Sequence, residues 1–228
     1  MGAEAQGTQA DVGRYLLILA GAFALLFAAL AVAPWHPDDW LLENVLVGAF
    51  VLALAPGYRR YALSPASYTL IFLFLCLHEV GAHYTYSEVP YDQWFQALTG
   101  APLNPVLGWE RNNFDHVVHF SYGLLLAYPV RELFLRLTAF RGLWSYFLPL
   151  DLTMSTSMIY ELIEWGAAAA FGGELGEAYL GTQGDVWDAH KDMALATLGA
   201  VVAMTATFAA NHFAGRDFAY EWAQRKRR

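Results

Sequence analysis

Residues 70–84 read LIFLFLCLHEVGAHY: an unbroken apolar run that ends in His78, Glu79 and His83. The apolar part suits a helix crossing a bilayer, and the predicted span is 66–84. Ionisable groups at its end are a functional-site expectation, because the membrane should exclude them. Working outward, five further apolar segments fall at about 15–33, 40–55, 115–130, 143–170 and 189–213. The runs are long and continuous rather than ten-residue alternations, so helices are expected and a barrel is not. The fold class is therefore an all-α polytopic membrane bundle of about six transmembrane helices. It forms one integral membrane domain over residues 1–228.

Composition points the same way. Of 228 residues, 57% are apolar and only 15% are charged, against about 25% charged in soluble domains. A net charge of −8 argues against nucleic acid, which needs a basic surface. The single cysteine, Cys76, excludes an intramolecular disulfide and a thiolate zinc finger. The leader of the first segment holds Glu4 and Asp11 against one Arg14. That lacks the positive region of a secretory signal, so a retained anchor is expected. With the N-terminus in the cytoplasm, eleven Lys and Arg fall inside and only Arg111 and Lys191 outside. Both termini are then cytoplasmic. The tail QRKRR would rest on anionic headgroups or be merely solvated. Thr85 to Phe114 forms a long outer connection, and Pro90 followed by YDQWFQAL predicts an interfacial helix with Pro at its first position.

In that topology the polar residues gather at the outer face. Span three ends with His78, Glu79 and His83, and span four opens with Asp115, His116 and His119. Span five carries Glu161 and Glu164, and span six is opened by Asp185, Asp188, His190, Lys191 and Asp192. Glu79/His83, Asp115/His119 and Asp188/Asp192 are each four apart, and Ser157, Glu161 and Glu164 form a stripe. Each helix thus offers one polar face. An unpaired charge at a helix centre costs about 2.5–3.5 kcal/mol on insertion scales. The four faces are therefore expected to turn toward one another.

Three readings of the cluster stay open. The first is a divalent metal site for zinc, manganese or iron, with His78, His83, Asp115, His116, His119, Asp188 and Asp192 as ligands. Glu79, Glu161, Glu164 and Lys191 would then be catalytic, the carboxylates as bases and Lys191 toward a phosphate or other anion. Against a known motif, HEVGAH is not HExxH, because its histidines are five apart and diverge around the helix. The second is metal-free acid–base work or a proton pathway, in which Glu161 and Glu164 share a proton. The third is structural, with the groups satisfying each other and stapling the bundle. Asp151 in the inner half of span five is expected to pair with Arg141 or Arg136, and Glu43 and Asn44 to support the cluster from span two.

The stretches HEVGAHYTYSEVPY, NNFDHVVHFSYG, MIYELIEW and GTQGDVWDAHKDMALATLGA resemble the YjdF-like family of bacterial multi-pass inner-membrane proteins, over about Leu16 to Ala210. The resemblance implies an inner-membrane location and transfers no activity. Asp115/His119, Glu161/Glu164 and Asp188/Asp192/Gly199 are also similar to a pattern in VanZ-like membrane proteins, where HEVGAH has no counterpart. The leading functional expectation is a metal-dependent hydrolase acting on a lipid or envelope small molecule from an outward-facing pocket. The alternatives are a proton- or metal-linked transporter or sensor, and a structural component of the membrane.

Overall fold

The computed structural model describes residues 2–138, 140–173, 176 and 180–225, with side-chain surroundings described outside 2–11, 55–60, 171 and 225. Six long helices carry the bundle: α1 (Gly2–Leu30), α2 (Pro37–Tyr61), α3 (Pro65–Tyr84), α6 (Phe114–Leu137), α7 (Trp144–Phe171) and α8 (Asp188–Ala214). Short helices α4 (Tyr91–Thr99) and α5 (Leu103–Leu107) lie in the connection between α3 and α6, and α9 (Phe218–Arg225) closes the described chain. No strand occurs among the described residues.

Every one of the six reaches the ~20 residues that cross a bilayer. Three stretches are also apolar enough by composition: Val12–Leu30, Pro65–Tyr84 and Asp188–Ala214. The other three carry the polar residues discussed below. Large side chains such as Leu17, Leu25, Leu52 and Leu198 stand exposed, as expected of faces meant for lipid.

The helices run past the expected limits for a physical reason. Helix α6 continues beyond residue 130 to Leu137 because the charges that end its apolar run are satisfied internally. Glu132 is fully buried and accepts from the Ser64 backbone N–H (2.7 Å) and from the Ser64 and Ser67 hydroxyls (2.6 Å each). Ser64 also caps α3, with Pro65 in the first turn. Arg131, fully buried, donates to both carboxylate oxygens of Asp217 and to Ser145, and stacks on Tyr146. This network ties α3, α7 and the α8–α9 turn to α6. Arg136 bonds Glu132 and Arg141 lies over Tyr220, while Asp151 is exposed on α7. The expected role of Asp151 as an internal ion-pair partner is thereby corrected. Pro90 is the N-cap of α4 rather than its first residue. The last three residues of QRKRR lie outside the described residues.

The closest helix pair is α6 against α8. A Cβ on Gly123 would meet the Ala196 carbonyl oxygen at 1.9 Å, and one on Gly199 would meet the Phe120 carbonyl oxygen at 2.1 Å. Backbones touch at both points, as small residues permit between membrane helices. The crossing lies one turn below His119 and two turns below Asp192, so it sets how those side chains meet.

Candidate functional site

Two groups of ligand-type side chains meet where α6, α7 and α8 converge. One ligand atom each from Asp115, His116, Asp188 and Asp192 lie within 4.8 Å of one another, and so do those of His119, Glu161 and Asp192. Asp192 belongs to both. The four-residue spacings on α6 and α8 put one residue above the other on the contact face.

The first group already holds a cation. Arg111, from the loop before α6, donates to Asp188 and to His116 Nε2 (2.7 Å), and lies 3.7 Å from Asp115. It also donates to the Thr182 carbonyl (2.9 Å). Burial works against its charge. The hydrogen bond to Asp188 and the charges of Asp115, Asp188 and Asp185 outweigh burial and raise its pKa above the ordinary arginine value. The second group holds no such partner. His119 Nδ1 stands 3.7 Å from Glu161 Oε1, beyond hydrogen-bond range. Glu161 Oε1 and Asp192 Oδ1 are buried without a hydrogen bond, their residues 8% and 4% exposed.

A ring of further acids adjoins this point. Glu43 and Asp39 on α2 are both buried; Tyr160 donates to Glu43 (3.0 and 3.2 Å), and Thr85 donates to Asp39 Oδ2 (2.6 Å). With Glu164, Asp115 and Asp192 they line a small chamber of about 30 Å³. A second, larger cavity of about 370 Å³ is walled by apolar residues of α2, α3, α6 and α7 such as Val47, Leu75, Leu126 and Leu133. Tyr86, His119 and Tyr160 line both spaces. Helix α2 packs on α3, and α7 on α6 and α8; side chains of both α2 and α7 line the larger cavity.

Tyr86 is placed by local strain. Thr85 and Tyr86 have φ of +58° and +35°, a conformation that side-chain-bearing residues rarely adopt. The turn drops the Tyr86 ring onto Gly81, where a Cβ would stand 2.6 Å from the ring. Burial, then the nearby acids Glu43, Glu164, Glu79 and Asp39, hold the phenol well above its ordinary pKa. It therefore stays protonated and donates to His78 Nδ1 (2.5 Å).

The expected residues thus divide. Asp115, His116, His119, Glu161, Asp188 and Asp192 converge, and Glu164 lines the adjoining chamber. His78 faces the large cavity through Tyr86. Glu79 is fully buried beside Asn44 and outside both ligand groups, with neither carboxylate oxygen in a well-formed hydrogen bond. His83 turns away, its Nδ1 2.7 Å from the Leu30 carbonyl oxygen and its ring against Tyr84. Lys191 is 52% exposed and donates to Asp185 (2.5 Å). That bond, with the Trp187 backbone N–H, lowers the Asp185 pKa. Neither His83 nor Lys191 joins the cluster. Sequence reading passed over Arg111, Asp39, Tyr86 and Tyr160 as site residues and left Glu43 in a supporting role. The Asp39/Glu43 spacing of four was the available signal.

The family model described as "Predicted membrane protein (DUF2238)" matches residues 15–212. The Inner membrane protein YjdF of Escherichia coli (strain K12) is 41% identical over 163 residues, which cover 71% of this chain and 74% of that protein. No solved structure matches the chain.

Proposed function

Because the chain belongs to the DUF2238 family of membrane proteins, we propose that it is a bacterial inner-membrane protein whose six long helices all span. Both termini are cytoplasmic and the acid–imidazole cluster faces outward. The name of the Escherichia coli relative and the bias of Lys and Arg support this placement. In this site the chain acts as a metal-dependent hydrolase on a lipid-borne substrate. The observation that carries the reading is the second ligand group. His119, Glu161 and Asp192 meet within 4.8 Å, with two buried oxygens in no hydrogen bond, and His119 lines both the polar chamber and the apolar cavity.

Imidazole with two carboxylates is a donor set suited to zinc, manganese or iron. His119, Glu161 and Asp192 would hold the ion. The Asp115/His116/Asp188 group fits one poorly, since Arg111 already neutralises it. A bound ion would polarise an ester-type carbonyl and make a water more acidic. Tyr160 orients Glu43 by hydrogen bonding, and Glu164 is placed to take or give a proton at the chamber wall. The large cavity would take the apolar tail, and its walls exclude water from the reacting end.

Ion transport is the less favoured reading. Leu54, Leu63, Leu126 and Leu133 are among the apolar residues that line the large cavity. Asp151 and Ser155, the polar residues that could mark an inward route, line neither space. The test is elemental analysis of detergent-purified protein, wild type against His119→Gln. The reading expects about one zinc, manganese or iron per wild-type chain and little in the variant. A metal-free wild type that takes up neither added zinc nor added manganese overturns it.

A further inference from the structure

The geometry points to a specific amphiphile: the apolar cavity and the acid chamber together form a site for a single-tailed lipid ending in a primary ammonium group. This rests on the reading that the cavity receives a lipid, and it names the head that lipid carries.

Three observations combine. The first is charge. The chamber is walled by Asp39, Glu43, Asp115, Glu164 and Asp192, and no Lys or Arg lines it among the described residues. Arg111 does not line it; it bonds Asp188 and His116 and, of the wall acids, lies 3.7 Å from Asp115. An acid-lined chamber repels a phosphate or carboxylate head and attracts a cation. The second is size. A chamber of about 30 Å³ has room for at least one water-sized group, and an ammonium head is of that scale. The third is hydrogen bonding. An ammonium offers three donors and no acceptor, whereas an ionised carboxylate only accepts. Asp39 is 2% exposed and its Oδ1 has no hydrogen bond, although its other oxygen is held by Thr85. The chamber therefore presents a buried acceptor waiting for a donor, and burying such a group unpaired is costly.

The tail follows from the adjoining space. The 370 Å³ cavity shares Tyr86, His119 and Tyr160 with the chamber as lining residues. A head held by the acids sends its chain directly past His119 into the apolar walls. A bond a few atoms from the amine then passes the His119/Glu161/Asp192 group.

The experiment uses the full chain in nanodiscs of zwitterionic lipid, with EDTA throughout so that metal plays no part. Radiolabelled dodecylammonium, dodecanol and dodecyl phosphate are compared, with retention on empty discs subtracted. We expect dodecylammonium to be retained at least about tenfold more tightly than dodecanol, as charge-assisted hydrogen bonds allow, and dodecyl phosphate least of all. Asp39→Asn with Glu43→Gln should remove the excess while dodecanol retention persists, and Leu126→Trp, which fills the cavity, should lower retention of all three. Equal retention of ammonium and alcohol by wild type overturns the ammonium head but leaves a lipid cavity standing. A preference for phosphate overturns it too. No retention above empty discs overturns the lipid cavity itself. Metal content, measured separately, decides the hydrolase reading.

Discussion

Replacing Gly199 with alanine places a Cβ 2.1 Å from the Phe120 carbonyl oxygen and 2.8 Å from the Leu124 backbone nitrogen. Both obstacles are backbone, so no side chain can rotate away. Ordinary contact begins near 3.4 Å, and α6 and α8 must part by more than an ångström to admit the methyl. Overpacking of this kind costs about 1–3 kcal/mol, a fall in melting temperature on the order of 5 °C for a chain of this size. The separation also pulls His119 from Asp192, and a misplacement of about 1 Å can cost ~100-fold in a positioned site. Gly166→Ala and Gly48→Ala are the controls. Each lies in a long helix with nothing within 4 Å of the added Cβ, and there alanine should be neutral or stabilising by up to ~1 kcal/mol. Thermal unfolding in detergent, followed by metal content of the surviving folded fraction, reads both effects. A Gly199→Ala protein as stable as the controls, with unchanged metal content, would refute the argument that this crossing positions the site.

Three other outcomes are expected. Arg111→Gln removes the cation from Asp115, His116 and Asp188, and should raise bound zinc or manganese from about one to about two per chain; unchanged stoichiometry would count against Arg111 as the built-in counter-ion. Between α6 and the α8–α9 turn, burial would raise the Asp217 pKa, but the Arg131 donors and the Tyr220 and Ala219 backbone N–H groups hold it below 3.8. A depressed carboxylate stabilises the fold above its unfolded pKa, so the increment should be intact at neutral pH and lost as pH falls below about 4. Asp217→Asn should be less stable at neutral pH by roughly 1–2 kcal/mol and lack that acid-dependent loss; an identical pH profile in unfolding assays would remove the lock. Finally, in a Cys76→Ser background, Lys191→Cys should react with a membrane-impermeant maleimide from the outside of whole cells while Arg141→Cys should not; the reverse pattern would invert the proposed orientation.

How much could be read from the chain alone depended on the range of the interaction. The long helices follow from local hydropathy, and the meeting of Asp115, His119, Glu161 and Asp192 from helical spacing plus the cost of leaving charges in lipid. Where an expectation missed, geometry within one helix often explains it. Five residues turn an α-helix through about 500°, or about 140° net, so His83 cannot share the face of His78. Lys191 is one residue from Asp192 and so about 100° around the helix, toward solvent and Asp185. The remaining gaps are long-range. Arg111 reaches residues more than 70 positions away, and a loop arginine carries no periodic signal. Tyr86 enters through a left-handed turn onto Gly81, which no apolar pattern encodes. The cavity between α2 and α7 is a space that helices leave, and its shape follows from their packing rather than from the character of any one segment.

The account turns on His119, Glu161 and Asp192 forming one metal-binding point. Manganese-loaded protein examined by electron spin-echo envelope modulation tests this most directly, because a coordinated imidazole nitrogen modulates the echo. The account predicts modulation from one histidine, abolished by His119→Gln and kept in His116→Gln and His83→Gln. No nitrogen modulation at all, or its loss in either of the latter variants but not in His119→Gln, would contradict it.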